Sequence, residues 1–352
     1  MDKLPKDMLA IQLSGLRETA AVRIPVPQIN RPDDILLRVA AVGICGSDVH
    51  YYTTGRIGSQ VVEFPFIVGH EFSGTVVQTG SAVTDLSPGE LLAVDPAMPC
   101  RQCDQCLAHR EHTCRKLRFL GCPGQAEGCL SEYIVMPRHS CFKLPPAINA
   151  ETAALIEPLS IGLYAVRLAG AMQDCATAIL GCGPIGLSIM LCARQSGVRT
   201  LAVSDPLAYR RNSALQHGAD WADDPANDDF ITRLTSFAPD GIDVVFECCG
   251  QQSAIDQAIE ILKPGGKLVL VGIPEVDRIS FNIDLLRRKE IRIINVRRQN
   301  ECVQQTIDLV AAGAIDPAFM VTHRGPLEDT PRFFELVAGY NDNIIKAMCL
   351  NL

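Results

Sequence analysis

The sequence contains little that would direct this chain to nucleic acid, to a membrane or out of the cell. Its 32 lysines and arginines are outnumbered by 40 aspartates and glutamates, and they form no basic run. Nucleic acid and anionic lipid normally bind to basic patches, so we expect neither partner. No uninterrupted apolar stretch approaches the length of a membrane span, and residues 1–10 lack the apolar region of a signal peptide. These absences predict a cytoplasmic protein.

Fifteen cysteines are present, and disulfides are a poor explanation for them. A chain without an export signal is expected in reducing surroundings, where disulfides are disfavoured. Metal ligation and burial explain the cysteines better. The length of 352 residues allows two domains, each burying its own core.

The chain divides into three regions with different patterns. Residues 1–157 have short β-type runs, such as 35–39, between turn signals, which predicts an irregular, mostly β domain. Residues 158–295 alternate strands with helical segments, which predicts a doubly wound parallel sheet and an α/β fold class. Residues 296–352 are too few to fold alone, so we expect them to return to the first domain.

A glycine-rich loop, Gly181-Cys182-Gly183-Pro184-Ile185-Gly186, lies between a predicted strand and a predicted helix. In this context Gly181 allows a tight turn, Gly183 lets the backbone approach a pyrophosphate, and Gly186 allows close helix–strand packing. The loop therefore predicts a dinucleotide site, and a plain strand–helix turn is the alternative.

The strand after that loop ends at Asp205, where an acid can bind the ribose hydroxyls of adenosine. A carboxylate there repels a 2′-phosphate, so NAD is favoured over NADP. Arg210 and Arg211 follow closely and keep NADP open. The alternative role for Asp205 is to cap the next helix.

Four cysteines, Cys100, Cys103, Cys106 and Cys114, follow the spacing C-x2-C-x2-C-x7-C. Four thiolates can surround one tetrahedral zinc and leave no open position, so this spacing predicts a structural zinc. Free cysteines would not cluster this tightly, and iron–sulfur clusters generally follow other spacings.

A second set of metal-ligating residue types is dispersed along the chain, at Cys45, His70, Glu71 and Glu157. Each one alone is a weak indication, because a lone cysteine is more often part of a core than a ligand. A single histidine usually makes one ordinary hydrogen bond, and a single glutamate usually lies at the surface.

These residues lie in motifs that resemble the zinc-containing medium-chain alcohol dehydrogenases, most closely their sorbitol (polyol) dehydrogenase branch. The motifs are Gly43–Tyr52, Gly55-Arg56-Ile57-Gly58, Gly69-His70-Glu71, the four-cysteine segment, Glu157-Pro158-Leu159-Ser160 and the glycine loop. The resemblance covers nearly the whole chain. It implies a GroES-like, mostly β catalytic domain and a Rossmann domain.

The resemblance also implies a catalytic zinc held by Cys45, His70 and Glu71, with Glu157 as a fourth, exchangeable ligand. Zinc lowers the pKa of an alcohol hydroxyl, and the nicotinamide accepts the hydride. Ser47 and His50 match the family's proton relay. Asp48 matches the acid that orients the zinc-binding histidine. A turn-forming aspartate is the alternative for this residue.

Substrate contacts implied by the resemblance are Ser47, Tyr51, Glu157 and Arg297. Two departures from the family are Tyr52, where a tryptophan is frequent, and Arg298, where a tyrosine is frequent. Arg298 makes an acidic or phosphorylated sugar credible, unless it faces solvent at a subunit edge. Implied cofactor contacts are Ile185, Asp205, Arg210, Val271, Gly272, Ile273, Asn295, Val296 and Arg297. The family implies a homodimer or homotetramer, with residues 291–294 at an interface.

The sequence therefore predicts zinc-dependent oxidation of a polyol by NAD, with two zinc ions per chain. A second hypothesis retains this chemistry for L-threonine, a diol, an aldonate or a sugar-phosphate alcohol. A third is a non-catalytic zinc-binding protein, which is disfavoured because the implied ligands are all present.

Overall fold

The computed structural model describes residues 4–351. The outermost residues of the first and last predicted domains, 1–3 and 352, lie outside this range. The strands are β1 (Asp7–Gly15), β2 (Glu18–Pro25), β3 (Asp34–Gly43), β4 (Arg56–Ile57), β5 (Gln60–Val61), β6 (Glu71–Thr79), β7 (Leu91–Val94), β8 (Ala97–Met98), β9 (Arg118–Phe119), β10 (Tyr133–Pro137), β11 (Cys141–Lys143), β12 (Ala176–Leu180), β13 (Thr200–Ser204), β14 (Trp221–Asp223), β15 (Ile242–Glu247), β16 (Leu262–Leu270), β17 (Arg292–Asn295), β18 (Val321–Gly325) and β19 (Lys346–Leu350).

The α-helices are α1 (Gly46–Thr54), α2 (Asp104–Leu107), α3 (Ala150–Ala169), α4 (Pro184–Gln195), α5 (Ala208–Gln216), α6 (Phe230–Phe237), α7 (Gln252–Ile261), α8 (Ile283–Lys289), α9 (Val303–Ala311) and α10 (Thr330–Gly339). Short 3₁₀ helices lie at Glu111–Thr113, Arg138–Ser140, Ala318–Met320 and Leu327–Asp329.

The chain forms two compact units, each with its own sheet. The first unit comprises Met1–Glu157, Val303–Ala311 and Pro317–Leu352, and the second comprises Pro158–Cys302 and Ala312–Asp316. The sequence placed the second boundary at residue 295, where β17 ends, whereas the second unit continues to Cys302. The return of 312–316 to the second unit had no signal in the sequence.

The first unit is built on a seven-stranded sheet in the order β11-β7-β6-β3-β19-β18, with β10 also paired to β3. β3 is central because it pairs antiparallel with β6, β10 and β19. Its nearly continuous burial matches its apolar residues from Ile35 to Val42, which the exposed Arg38 interrupts. Since β19 lies between β3 and β18, residues from the end of the chain pack beside residues from its beginning.

The second unit is built on six parallel strands in the order β14-β13-β12-β15-β16-β17. The strand order reverses between β12 and β15, which is the doubly wound arrangement expected from the sequence. In such sheets ligands bind beyond the carboxyl ends of the strands, at the point of reversal. The loop after β12 is therefore the position for a dinucleotide.

Pro264, Gly265 and Gly266 are residue types typical of turns, but they lie inside β16. The pairing of β16 with β15 jumps from Leu262–Ile242 to Lys267–Val244. The intervening residues bulge out of the ladder, which accommodates a proline and a glycine with φ of 78°.

Helix α3 is apolar overall, although charged residues interrupt its sequence, so the expectation that no uninterrupted apolar stretch reaches the length of a membrane span still holds. Its 20 residues are long and apolar enough to cross a membrane, judged by length and composition alone. Most of them are buried in the protein, which is also what a core helix shows. Charged residues and Pro158 interrupt the apolar run of α3, so the sequence pattern did not predict this helix.

Candidate active site

The four cysteines of the predicted structural site converge in the first unit. Their sulfur atoms all lie within 4.8 Å of one another, and two of the residues are buried. Cys103 is the N-cap of the short helix α2, so a loop and one helical turn bring together residues that are close in sequence. A bidentate ion pair between Arg115 and Asp104 lies beside them at the surface.

Backbone groups around these cysteines favour thiolates. The amide groups of Cys100 and Lys116 donate to Cys114 Sγ at 3.2 and 3.4 Å. The backbone N–H groups of Cys106 and Arg115 lower the pKa of Cys103 to about 6. Burial acts in the opposite direction on two of the cysteines, raising the pKa of Cys106 to about 12 and also raising that of Cys114. Four sulfur donors this close together fit a tetrahedral zinc without an open position. We call this group the four-cysteine cluster.

A second donor group lies elsewhere in the first unit, assembled from residues distant in sequence. Cys45 immediately precedes α1, His70 immediately precedes β6, and Glu71 is the first residue of β6. Their ligand atoms lie within 4.8 Å of one another. A thiolate, an imidazole and a carboxylate are a donor set that suits a catalytic zinc, because three protein ligands leave a position for substrate. We call Cys45, His70 and Glu71 the mixed cluster.

Asp48 holds two members of the mixed cluster in place. Its Oδ1 lies 3.3 Å from His70 Nδ1, and its two oxygens accept the N–H groups of Gly69 and Cys45 at 3.0 and 3.1 Å. Burial tends to lower the pKa of His70, but the charges of Asp48 and Cys45 outweigh it and hold that pKa well above 6.5. Asp48 thus contacts His70 directly, beyond shaping its own turn.

Glu71 is paired with a buried lysine that the sequence reading did not identify. Lys346 Nζ lies 2.6 Å from Glu71 Oε2, and both side chains are 1% exposed. The same ammonium donates to the carbonyl of Ile44 at 3.2 Å. Burial tends to lower the pKa of Lys346, but Glu71 and Cys45 raise it overall, so the lysine remains charged.

Glu157 lies near the mixed cluster without joining it. It is 6% exposed, and its Oε2 has no hydrogen-bond partner among the described residues. Burial raises the pKa of Glu157 to about 8. The nearby charge of His70 lowers this pKa, and the negative charge of Glu71 raises it further. A buried carboxylate oxygen without a partner is costly, so it fits a role in which a cation shares this space.

The remaining residues predicted for catalysis or substrate binding in this unit lie on α1. Ser47 donates to Cys45 Sγ at 3.3 Å, and His50 is half-buried one turn later. Tyr51 is buried, with its hydroxyl 3.4 Å from Gln60 Oε1 and 3.9 Å from Cys122 Sγ. Tyr52 donates to Glu335 at 2.6 Å, and its burial raises its pKa to about 12.

The glycine loop in the second unit has the close contacts that its spacing predicted. Gly181 has a φ of 101°, and a Cβ on Gly186 would stand 1.9 Å from the Gly181 carbonyl oxygen. Ile185 lies in the first turn of α4. No side chain fits at Gly186 between the strand and this helix, which is the close helix–strand packing expected of this glycine.

Asp205 follows β13 beside this loop. Its carboxylate accepts the N–H groups of Cys182 at 2.8 Å and Leu207 at 2.9 Å, and Arg210 lies 3.8 Å away. Asp205 therefore ties the glycine loop to the start of α5. Asp205 does not cap α5, because the N-cap of that helix is Leu207 and no side chain makes a capping hydrogen bond there.

The other predicted cofactor contacts follow the carboxyl ends of neighbouring strands. Val271, Gly272 and Ile273 follow β16, while Asn295, Val296 and Arg297 lie at the end of β17. Glu247, at the end of β15, accepts the N–H groups of Cys249 and Gly250 at 2.8 and 2.6 Å. Arg297 is exposed, and Arg298 is half-buried with a φ of 55°.

Lys346 and Glu247 are the site residues that the sequence analysis missed. Each is a charged residue next to or within an apolar strand, as in Ile344-Ile345-Lys346-Ala347-Met348. A charge is rarely buried unless it is paired, so this pattern could have indicated both residues. The sequence alone gave no partner for either one.

Comparison with known proteins places this chain among dehydrogenases. Residues 31–146 match the family "Alcohol dehydrogenase GroES-like domain", and residues 184–312 match the family "Zinc-binding dehydrogenase". Sorbitol dehydrogenase of Bacillus subtilis is 35% identical, covering 98% of both chains. L-idonate 5-dehydrogenase of Vitis vinifera is 31% identical, covering 97% of this chain and 94% of the relative.

A solved structure agrees over the full length. The protein from Sinorhizobium meliloti described as a zinc-binding dehydrogenase, bound to NADP, is 31% identical. It superposes with a TM-score of 0.90 over 99% of this chain and 100% of that one. The match includes both the GroES-like and the Rossmann parts.

Proposed function

This chain belongs to the zinc-containing medium-chain alcohol dehydrogenase family, and from that premise we propose that it oxidises a secondary hydroxyl of a polyol to a ketone. The observation that carries the proposal is the mixed cluster, where three different donors meet beside the unpartnered oxygen of Glu157. Such a set is suited to hold a metal that still accepts substrate, unlike the four-cysteine cluster.

We assign one zinc to each cluster. The catalytic zinc would be held by Cys45, His70 and Glu71, with Glu157 as an exchangeable fourth ligand. When bound, it lowers the pKa of the substrate hydroxyl, and the nicotinamide accepts the hydride. The structural zinc would be held by Cys100, Cys103, Cys106 and Cys114.

The proton released by the substrate would leave along α1. Ser47 Oγ lies beside Cys45 Sγ, and His50 follows three residues later on the same helix. Residues three apart lie on one face of a helix, so Ser47 can pass a proton towards the half-buried His50. Asp48 acts through His70, which it holds in one orientation.

A polyol is the preferred substrate because the site is rich in hydrogen-bonding groups and a sorbitol dehydrogenase is among the relatives. Ser47, Tyr51, Glu157 and Arg297 are the proposed contacts. An aldonate is the second candidate, favoured by the L-idonate 5-dehydrogenase relative and by the positive charge of Arg298.

NAD is the proposed cofactor, although one similar structure holds NADP. Asp205 supports NAD because its buried carboxylate lies beside the glycine loop, where it would repel a 2′-phosphate. The proposed cofactor contacts are those named in the loops after β12, β13, β16 and β17. We also propose a homodimer or homotetramer joined through β17, which ends the order of the parallel sheet.

A spectrophotometric screen tests the proposal. It follows NAD and NADP reduction with sorbitol, xylitol, arabinitol, aldonates, diols, L-threonine and sugar-phosphate alcohols. Turnover with a free polyol and faster reaction with NAD are expected. No activity on any free polyol would exclude the polyol assignment, and faster reaction with NADP would exclude the assigned role of Asp205.

A further inference from the structure

The Lys346–Glu71 ion pair is built across the central strand of the first unit. β19 and β6 lie on opposite sides of β3, and Gly43 of β3 pairs with Glu71 on one side and Met348 on the other. Lys346 and Glu71 therefore approach each other over Gly43. They can do so because this residue has no side chain.

The absence of a side chain at Gly43 leaves room for the observed position of the Glu71 carboxylate. A Cβ at this position would stand 2.5 Å from Glu71 Oε2 and 3.5 Å from Lys346 Cδ. Oε2 thus occupies the space above Gly43, where it meets the lysine ammonium. The same ammonium holds the Ile44 carbonyl, next to Cys45.

We propose that Lys346 is a positioning residue for Glu71: by holding Oε2, it restricts Glu71 to a single-oxygen contact with the metal and keeps one coordination position open for substrate. The inference rests on the proposed function of the mixed cluster. A carboxylate can bind a metal through one oxygen or through both, and a fixed cation on one oxygen opposes the second mode.

The fully buried cation also distinguishes this pair from a surface ion pair. Burying a charged lysine at 1% exposure is costly unless its partner is always present. If Glu71 moved away, Lys346 would be a buried charge without its ion-pair partner. Lys346 therefore favours one position of Glu71 in every step of turnover.

Lys346→Met tests this role, because methionine retains much of the side-chain volume and removes the charge. Co²⁺ in place of zinc in the mixed cluster reports coordination number, since its visible absorption weakens when four ligands become five. We expect weaker absorption, slower loss of the metal to a chelator, and a fall in kcat of about 10- to 100-fold. Lys346→Arg should retain the wild-type spectrum.

Gly43→Ala provides a second, uncharged test should Lys346→Met fail to fold. Its Cβ displaces Glu71 Oε2, so the same change in absorption is expected. Lys289→Met is the matched control, because Lys289 belongs to the second unit and its ammonium donates to the backbone carbonyls of Ile259, Glu260 and Leu262. Its Co²⁺ spectrum should match the wild type.

An unchanged spectrum and kcat in folded Lys346→Met, or loss of the metal from the mixed cluster, would overturn the positioning role. Neither result would contradict the proposed function, because both concern the variant and not the activity of the wild-type protein. Wild-type protein that retains metal in both clusters but oxidises no alcohol would instead contradict the proposed function.

Discussion

The two donor clusters of the first unit are built in opposite ways. The four-cysteine cluster takes all its donors from residues 100–114, with backbone amides as its nearest support. The mixed cluster takes donors from α1 and β6 and depends on Asp48 and Lys346, the latter near the end of the chain. The four-cysteine cluster can form once the loop of residues 100–114 closes, whereas the mixed cluster needs the folded sheet of the first unit.

That difference separates their roles. A closed set of four thiolates excludes substrate and can only stabilise its loop. A mixed donor set can keep one coordination position open for substrate when a lysine holds one oxygen of its carboxylate. The clearest way to break this comparison is to find that losing one donor has the same consequence in both clusters.

Cys45→Ser is expected to produce the largest effect on activity. Loss of the thiolate should reduce kcat by about 10³-fold, because metal stabilisation of the reacting oxygen contributes several kcal/mol. Elemental analysis should find about one zinc per chain, with the melting temperature close to that of the wild type. Cys175→Ser, outside both clusters, should leave kcat and metal content unchanged.

Cys103→Ser should act on stability. Loss of the metal in its loop is expected to lower the melting temperature by roughly 10 °C, while the folded fraction retains most of its kcat. Calorimetry together with active-site titration would separate the two quantities. Full stability with lost turnover would reverse the assigned roles.

Asp48→Asn should weaken the mixed cluster without affecting the four-cysteine cluster. An amide cannot provide the same charge beside His70 Nδ1, so we expect about 10- to 100-fold lower metal affinity at one site only. Chelator competition, read as two separate phases, measures this. Equal weakening of both phases would show that Asp48 serves the fold alone.

Arg115→Gln should produce the smallest effect. Arg115 and Asp104 are both more than half exposed, and exposed ion pairs contribute little. The melting temperature should change by less than about 2 °C, with both zinc ions retained. A large fall with loss of zinc would mean that the four-cysteine cluster also depends on a charged partner.

The same contrast shows which parts of the structure the sequence could predict. Local signals predicted the four-cysteine cluster and the glycine loop, because residues close in sequence make those contacts. The position of Asp205 at the end of the strand after that loop predicted its place beside the loop. The Lys346–Glu71 pair joins strands from the two ends of the chain, so no spacing reveals it. The partnerless oxygen of Glu157 depends on packing around α3, which runs through Pro158 although proline usually disrupts a helix.

Stepwise removal of zinc tests the division of roles most directly. The wild-type protein is treated with a chelator while zinc per chain, alcohol-dependent cofactor reduction and circular dichroism are followed together. We expect about two zinc ions per chain at the start. Activity should fall in proportion to the fraction of the first zinc removed, while the circular dichroism spectrum stays unchanged. Activity that persists after one zinc has left, or that falls only as the protein unfolds, would contradict the account.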